Sequence, residues 1–160
     1  MLATCCDYRV MVASEKATIG LNEAKFGLIA PFWFMDSFRN VIGQREAEFA
    51  LLNGKLYSVA DAKSVGLIDT IVDDKEAAIA VCTKTIKDMN KCVPRAWTMT
   101  KLAMREAPIA RLKSQRGQDV DNFVELVMEE GMQKYLDAYM TSLKTAASKK
   151  LRFPKGPWWS

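Results

Sequence analysis

Glu23 is the side chain in this sequence best placed to move a proton. It lies in Ile19-Gly20-Leu21-Asn22-Glu23-Ala24-Lys25-Phe26-Gly27-Leu28-Ile29-Ala30-Pro31-Phe32-Trp33, where a carboxamide and a carboxylate precede an apolar and aromatic stretch. A carboxylate set against apolar groups has its charged form disfavoured, which suits general acid–base work. A glutamate in a surface turn is the commoner arrangement, so the spacing by itself leaves both readings open. The chain contains no histidine, which excludes a Ser-His-Asp triad, a Cys-His pair and any His-based zinc site. No phosphate-binding glycine loop, dinucleotide fingerprint or metal-ligand cluster is present, so no metal is expected. Phe32, Trp33 and Phe34 fit either the lining of an acyl pocket or ordinary packing at a helix start.

The flanking pattern predicts the elements that must hold this segment. Asp7–Ser14 and Ala17–Leu21 read as strands, and Asn22–Gly27 as a turn. A helix is expected from Pro31 to the stop at Gly43, with Phe34, Phe38 and Val41 at helical spacing. A second helix covers Arg45–Leu52 and ends at Asn53-Gly54. Ser58 and Asp61 give a cap-like start to a short helix closed by Gly66, and Leu67–Val72 reads as a strand. From about Asp74 the chain is almost all helix, with boundaries at Pro94 and Pro108. Residues from Val120 to Leu143 carry one wide apolar stripe with a break expected at Gly131, and the reading is a core-facing helix pair. A sheet normally needs three or more strands, and few are visible here, so the sequence reads as the second half of a domain.

Composition bounds the rest. The chain has 160 residues, 49% hydrophobic and 26% charged, which is too apolar for disorder and too charged for a membrane bundle. A net charge of +4 suits an anionic ligand but falls short of a nucleic-acid-binding signature. No transmembrane segment is expected, since the longest apolar stretch, near Ile29–Met35, is far too short. Cys5, Cys6, Cys82 and Cys92 lack a Cys-x-x-Cys spacing and are expected to be reduced and mostly buried. The first residues carry no signal-peptide pattern, and Trp158-Trp159-Ser160 matches no targeting tail.

Several pieces in fixed order resemble the crotonase (enoyl-CoA hydratase/isomerase) superfamily. They are Cys6-Asp7-Tyr8-Arg9, Ile19-Gly20-Leu21-Asn22-Glu23, Gly27-Leu28-Ile29-Ala30-Pro31-Phe32-Trp33, Ala60-Asp61-Ala62 and Val65-Gly66-Leu67-Ile68-Asp69, followed by Thr100-Lys101. The Gly-Leu-Asn-Glu and Ala-Pro-Phe-Trp pieces are most similar to its mitochondrial Δ3,Δ2-enoyl-CoA isomerase branch. The resemblance implies an α/β fold: the second half of a crotonase-like ββα spiral core in residues 1–73, then a helical trimerisation region in 74–148. Residues 149–160 are expected to form a flexible basic tail. It further implies a 3-enoyl-CoA thioester substrate in fatty-acid β-oxidation, Glu23 as the catalytic glutamate and Asn22 as a substrate contact. No cofactor is implied, since CoA arrives within the substrate. A homotrimer in the mitochondrial matrix is implied as well, with the transit peptide upstream of these residues. Phe123 and Lys134 fall where the family closes over CoA or meets a neighbouring subunit, although a solvated lysine is the plainer reading of Lys134.

Sister hydratases use two carboxylates around a water, and their second glutamate aligns with Met1, which favours a proton shift over hydration. Asp7 matches a structural position before a strand. The family's two backbone donors to the thioester oxyanion lie upstream of Met1, and losing one such donor typically costs about 100- to 1000-fold in rate. These 160 residues by themselves are therefore expected to be nearly inactive and poorly soluble. The alternatives are a non-catalytic chain that assembles with full-length subunits, and a sister hydratase or dienoyl-CoA isomerase.

Overall fold

The computed structural model describes residues 1–145, so the expected basic tail lies outside the described residues. A short N-terminal helix, α1 (Leu2–Cys5), leads into β1 (Val10–Val12) and β2 (Thr18–Gly20). A 3-10 turn (Glu23–Phe26) follows, then α2 (Phe32–Ile42), α3 (Gln44–Leu52), β3 (Leu56–Ser58), α4 (Val59–Ser64) and β4 (Thr70–Val72). Beyond β4 the described chain is helical: α5 (Lys75–Met89), α6 (Pro94–Met104), α7 (Glu106–Met128) and α8 (Glu130–Thr145).

The strands form two separate pairs. β1 runs parallel to β4 with Val10 opposite Thr70, and β2 runs antiparallel to β3 with Ile19 opposite Tyr57. Both expected outer strands are shorter than their β-rich sequences because a ladder extends only as far as its partner. At the β1 end, Asp7 instead meets Lys101 at 2.7 Å and Arg105 at 3.3 Å, which ties the strand's approach to α6. At the β4 end, Leu67 and Ile68 are buried in the core, and Asp69 accepts the Arg9 backbone N–H at 2.7 Å.

α2 and α3 build the core. Gly43, at φ +81, ends one helix and begins the next, a backbone state that a side chain would strain. Phe38 on α2 and Ala47 and Ala50 on α3 are buried together with Leu21, Tyr57 and Leu67. The small alanines let α3 approach closely, as interiors packed to crystal-like density require. Ser58 caps α4 by accepting the Asp61 N–H at 3.1 Å, and Asp74 caps α5 by accepting from Ala77 at 2.7 Å.

Three expectations are corrected. The apolar stripe of the last two helices is not a core-facing pair throughout: Met132 is fully buried, whereas Val120, Phe123, Val124, Met128 and Met140 are exposed. The break falls at Glu129, between α7 and α8, rather than at Gly131, which continues inside α8. The cysteines are free, but Cys5, Cys6 and Cys92 are exposed and Cys82 is half-buried. Among the described residues, no helix is long and apolar enough to cross a membrane.

Candidate active site

Glu23 begins the 3-10 turn that follows β2 after Leu21 and Asn22, so the strand delivers it and the turn aims it. The turn closes at Gly27, whose φ of +73 is the left-handed state expected of a terminating glycine. The Leu28 N–H returns to the Glu23 carbonyl at 3.1 Å. Helix α8 braces the turn from outside. Tyr135 donates its hydroxyl to the Lys25 carbonyl, and the Tyr139 ring lies 4.4 Å from the Phe26 ring. A Cβ on Gly27 would meet the Met132 methyl at 3.2 Å, so the helix sits directly against the turn.

The Glu23 side chain borders a cavity of about 380 Å³. Leu28, Ile29, Met35, Leu51 and Leu52 give it an apolar wall. Glu23 Oε2 is buried and has no hydrogen-bond partner. Buried polar atoms without a partner are rare, and each one asks for a reason. Among the described residues, the other such atom, Arg9 Nε, belongs to a guanidinium already paired with Asp69 at 3.0 Å. Glu23 differs because its orphan oxygen belongs to a cavity-lining residue.

Asn22 precedes the turn, and its carbonyl accepts the Lys25 N–H at 3.0 Å. Its side chain makes no capping bond, and Asn22 is not among the residues that line the cavity. The structure thus brings Glu23, but not Asn22, to this space. The aromatic run divides. Phe34 packs against the core, Trp33 faces a separate groove with Thr4, Ile109 and Leu112, and Phe32 lies beneath the Arg111 guanidinium at 4.7 Å. None of the three lines the cavity beside Glu23, whose apolar lining is aliphatic and thioether.

A charged cluster on the cavity wall was not singled out by the sequence. Asp36 on α2 is buried, at 3% exposure, and meets Arg39 at 3.0 Å and Arg111 at 3.2 Å. Arg39 is one helical turn away and could have been noticed as an i, i+3 pair. Arg111 is 75 positions away and could not. Among the described residues, no group of three potential metal ligands stands together.

A sequence model of the enoyl-CoA hydratase/isomerase family matches residues 1–148. Among curated proteins, the mitochondrial enoyl-CoA delta isomerase 1 of Mus musculus is 43% identical over 149 residues, covering 90% of this chain and 50% of the mouse protein. The Homo sapiens protein of the same name is 38% identical, covering 90% of this chain and 47% of its own length. The chain therefore spans about half the length of the curated relatives it matches. The crystal structure of human mitochondrial delta3-delta2-enoyl-CoA isomerase superposes with a TM-score of 0.81 at 38% identity, over 89% of this chain and 55% of that one. A carnitinyl-CoA dehydratase from Mycobacterium avium, at 21% identity and a TM-score of 0.72, shares the fold.

Proposed function

Since this chain belongs to the enoyl-CoA hydratase/isomerase family, we propose that it carries the acid–base half of a 3-enoyl-CoA isomerase site, with Glu23 as the proton carrier. The observation that supports this reading is the buried, unpartnered Glu23 oxygen beside an apolar cavity. The Glu23 carboxylate removes a proton from C2 of the acyl chain. The C2–H electron pair forms a C1–C2 double bond as the carbonyl pair moves onto the thioester oxygen, giving a dienolate that keeps its C3–C4 double bond. The C3–C4 pair then takes the proton back at C4, the C1–C2 pair shifts to C2–C3 and the carbonyl re-forms, which leaves the 2-enoyl thioester and regenerates the carboxylate. One group serves both steps, and the shift as written requires no metal or redox cofactor, CoA being part of the substrate. Asn22, adjacent to Glu23, is proposed to contact the substrate outside the cavity.

The partners and location follow the same reading. Acyl-CoA is the proposed ligand, and the positive net charge of the chain suits its phosphates. The relatives are named as mitochondrial proteins, which supports a mitochondrial location, proposed here to be the matrix. The exposed apolar positions on α7 and α8, Phe123 and Met128 among them, support assembly as a homotrimer through the helical region. Fatty-acid β-oxidation is the proposed setting.

The test uses the natural polypeptide that carries these 160 residues. Conversion of 3-enoyl-CoA to the conjugated 2-enoyl-CoA is followed by absorbance and product chromatography. Glu23→Gln should lower kcat by at least about 100-fold, the lower range for losing an acid–base group. An unchanged rate in that variant would overturn the assignment. Glu48 also borders the cavity and could supply a second carboxylate, as hydration requires. Formation of 3-hydroxyacyl-CoA from 2-enoyl-CoA, lost in Glu48→Gln, with no turnover of 3-enoyl-CoA, would replace the isomerase reading with a hydratase.

A further inference from the structure

The wall of the cavity is assembled from elements distant in sequence, and one long helix contributes a single charged side chain to it. The loop after the turn and helices α2 and α3 supply the apolar part, and α7 supplies Arg111. This side chain is held from several directions. Asp36 accepts from its Nη1 at 3.2 and 3.4 Å, Gln115 accepts from its Nε at 3.1 Å, and the Phe32 ring lies under the guanidinium at 4.7 Å. Two turns farther along α7, Asp119 accepts the Phe32 backbone N–H at 3.3 Å. The guanidinium is therefore held at the edge of the cavity by these contacts, with its side chain nearly half exposed.

Fixation matters because the space is small. About 380 Å³ lies near the lower end of the roughly 300–1,000 Å³ range for ligand pockets. The space opens to solvent beside the exposed Ile29 and Leu52, so the stop applies to an acyl chain directed at Arg111. A hydrocarbon end gains nothing from a guanidinium and would have to break the Asp36 contacts to pass.

We propose that Arg111, held by Asp36, is a specificity-determining residue that limits the length of acyl chain accepted beside Glu23. This rests on the isomerase reading for its substrate, but not for its geometry. Truncating Arg111 removes the stop and leaves Asp36 paired with Arg39 at 3.0 Å, so the buried carboxylate keeps a partner. Arg111→Lys keeps the charge and much of the length.

The experiment compares kcat/KM for a short and a long 3-enoyl-CoA in the natural polypeptide and its Arg111→Ala and Arg111→Lys variants. The long-to-short ratio should rise by about tenfold or more in Arg111→Ala, the range for one or more methylenes gained in an apolar pocket. It should stay within about twofold of the parent in Arg111→Lys. Equal losses for both chain lengths, or failure of both variants to fold, would make Arg111 a purely structural latch and overturn the proposal. Calorimetric binding of saturated acyl-CoAs of the same two lengths separates this from the reaction. A moved binding ratio without any isomerisation would sink the isomerase reading and keep the wall. An unmoved binding ratio would sink the wall, whatever the activity.

Discussion

Tyr135 on α8 donates its hydroxyl to the carbonyl of Lys25, 110 positions earlier, at 2.9 Å. The bond fastens the last described helix to the turn that carries Glu23. Burial, and then the neighbouring Tyr139, raise the Tyr135 phenol pKa, so it stays a donor throughout the neutral range. Tyr135→Phe should cost about 1 kcal/mol of stability, the usual net value of one hydrogen bond. If the turn positions Glu23 for a reaction, kcat should fall more than KM changes. Denaturant titration and steady-state kinetics read the two effects separately.

Gly27 gives a sharper probe of the same turn. Its φ of +73 is unfavourable for any residue with a Cβ. Gly27→Ala should destabilise by about 1–2 kcal/mol from the left-handed backbone alone. The Met132 methyl, 3.2 Å from the added carbon, is the flexible end of a side chain and can yield. A stability equal to the parent by chemical denaturation would show that the turn does not hold this conformation.

Asp36 and its two arginines should show strong non-additivity. Arg39→Met leaves Asp36 on Arg111, and Arg111→Met leaves it on Arg39. Each single change should cost about 1 kcal/mol, since both arginine side chains are nearly half exposed. The double variant strands a buried carboxylate, and a loss of about 3–5 kcal/mol is expected. A double-mutant cycle on denaturation free energies checks this. A coupling term near zero would mean that water already satisfies Asp36.

Tyr57 and Glu46 give a pH signature of the core. Tyr57 is fully buried and donates to Glu46 at 2.7 Å. Burial first, and then that bond and charge, hold the phenol pKa well above its ordinary value of about 10. Hydrogen bonds from Tyr57 and then Lys55 hold the Glu46 carboxyl below its ordinary range. The raised phenol contributes stability that is complete below about pH 10 and is lost as pH rises toward its folded value. The lowered carboxyl contributes stability present above about pH 4.3 and lost as pH falls through its folded value. In thermal melts across pH, Tyr57→Phe should flatten the alkaline limb and Glu46→Gln the acid limb. A parent chain whose Tm is constant from pH 9 to 12 would contradict the first half.

Local chemistry made much of the fold legible in the sequence. Gly43 and Gly27 stop their elements, Pro94 opens α6, and Ser58 caps α4, each through backbone chemistry that acts within a few residues. Strand β3 was not legible, because three residues, Leu56–Ser58, are too few to show alternation. The stripe on α7 and α8 was legible as a face but not as a core. Periodicity reports that a surface is apolar and is silent on what covers it. Glu23 stood out through its apolar neighbours and the family resemblance. Arg111 did not, because a contact across 75 positions leaves no local pattern.

The pairing of β1 with β4 has a kinetic consequence. Arg9 and Asp69 meet across 60 residues, and everything from β2 to α4 lies inside that loop. The chain must order the intervening helices before the parallel ladder can gain from closing, since loop entropy is lost before distant contacts repay it. The α2–α3 core, made of neighbours in sequence, can collapse first. The β1–β4 ladder is then expected to close after that core, and hydrogen exchange should show its amides exchanging before those of α2.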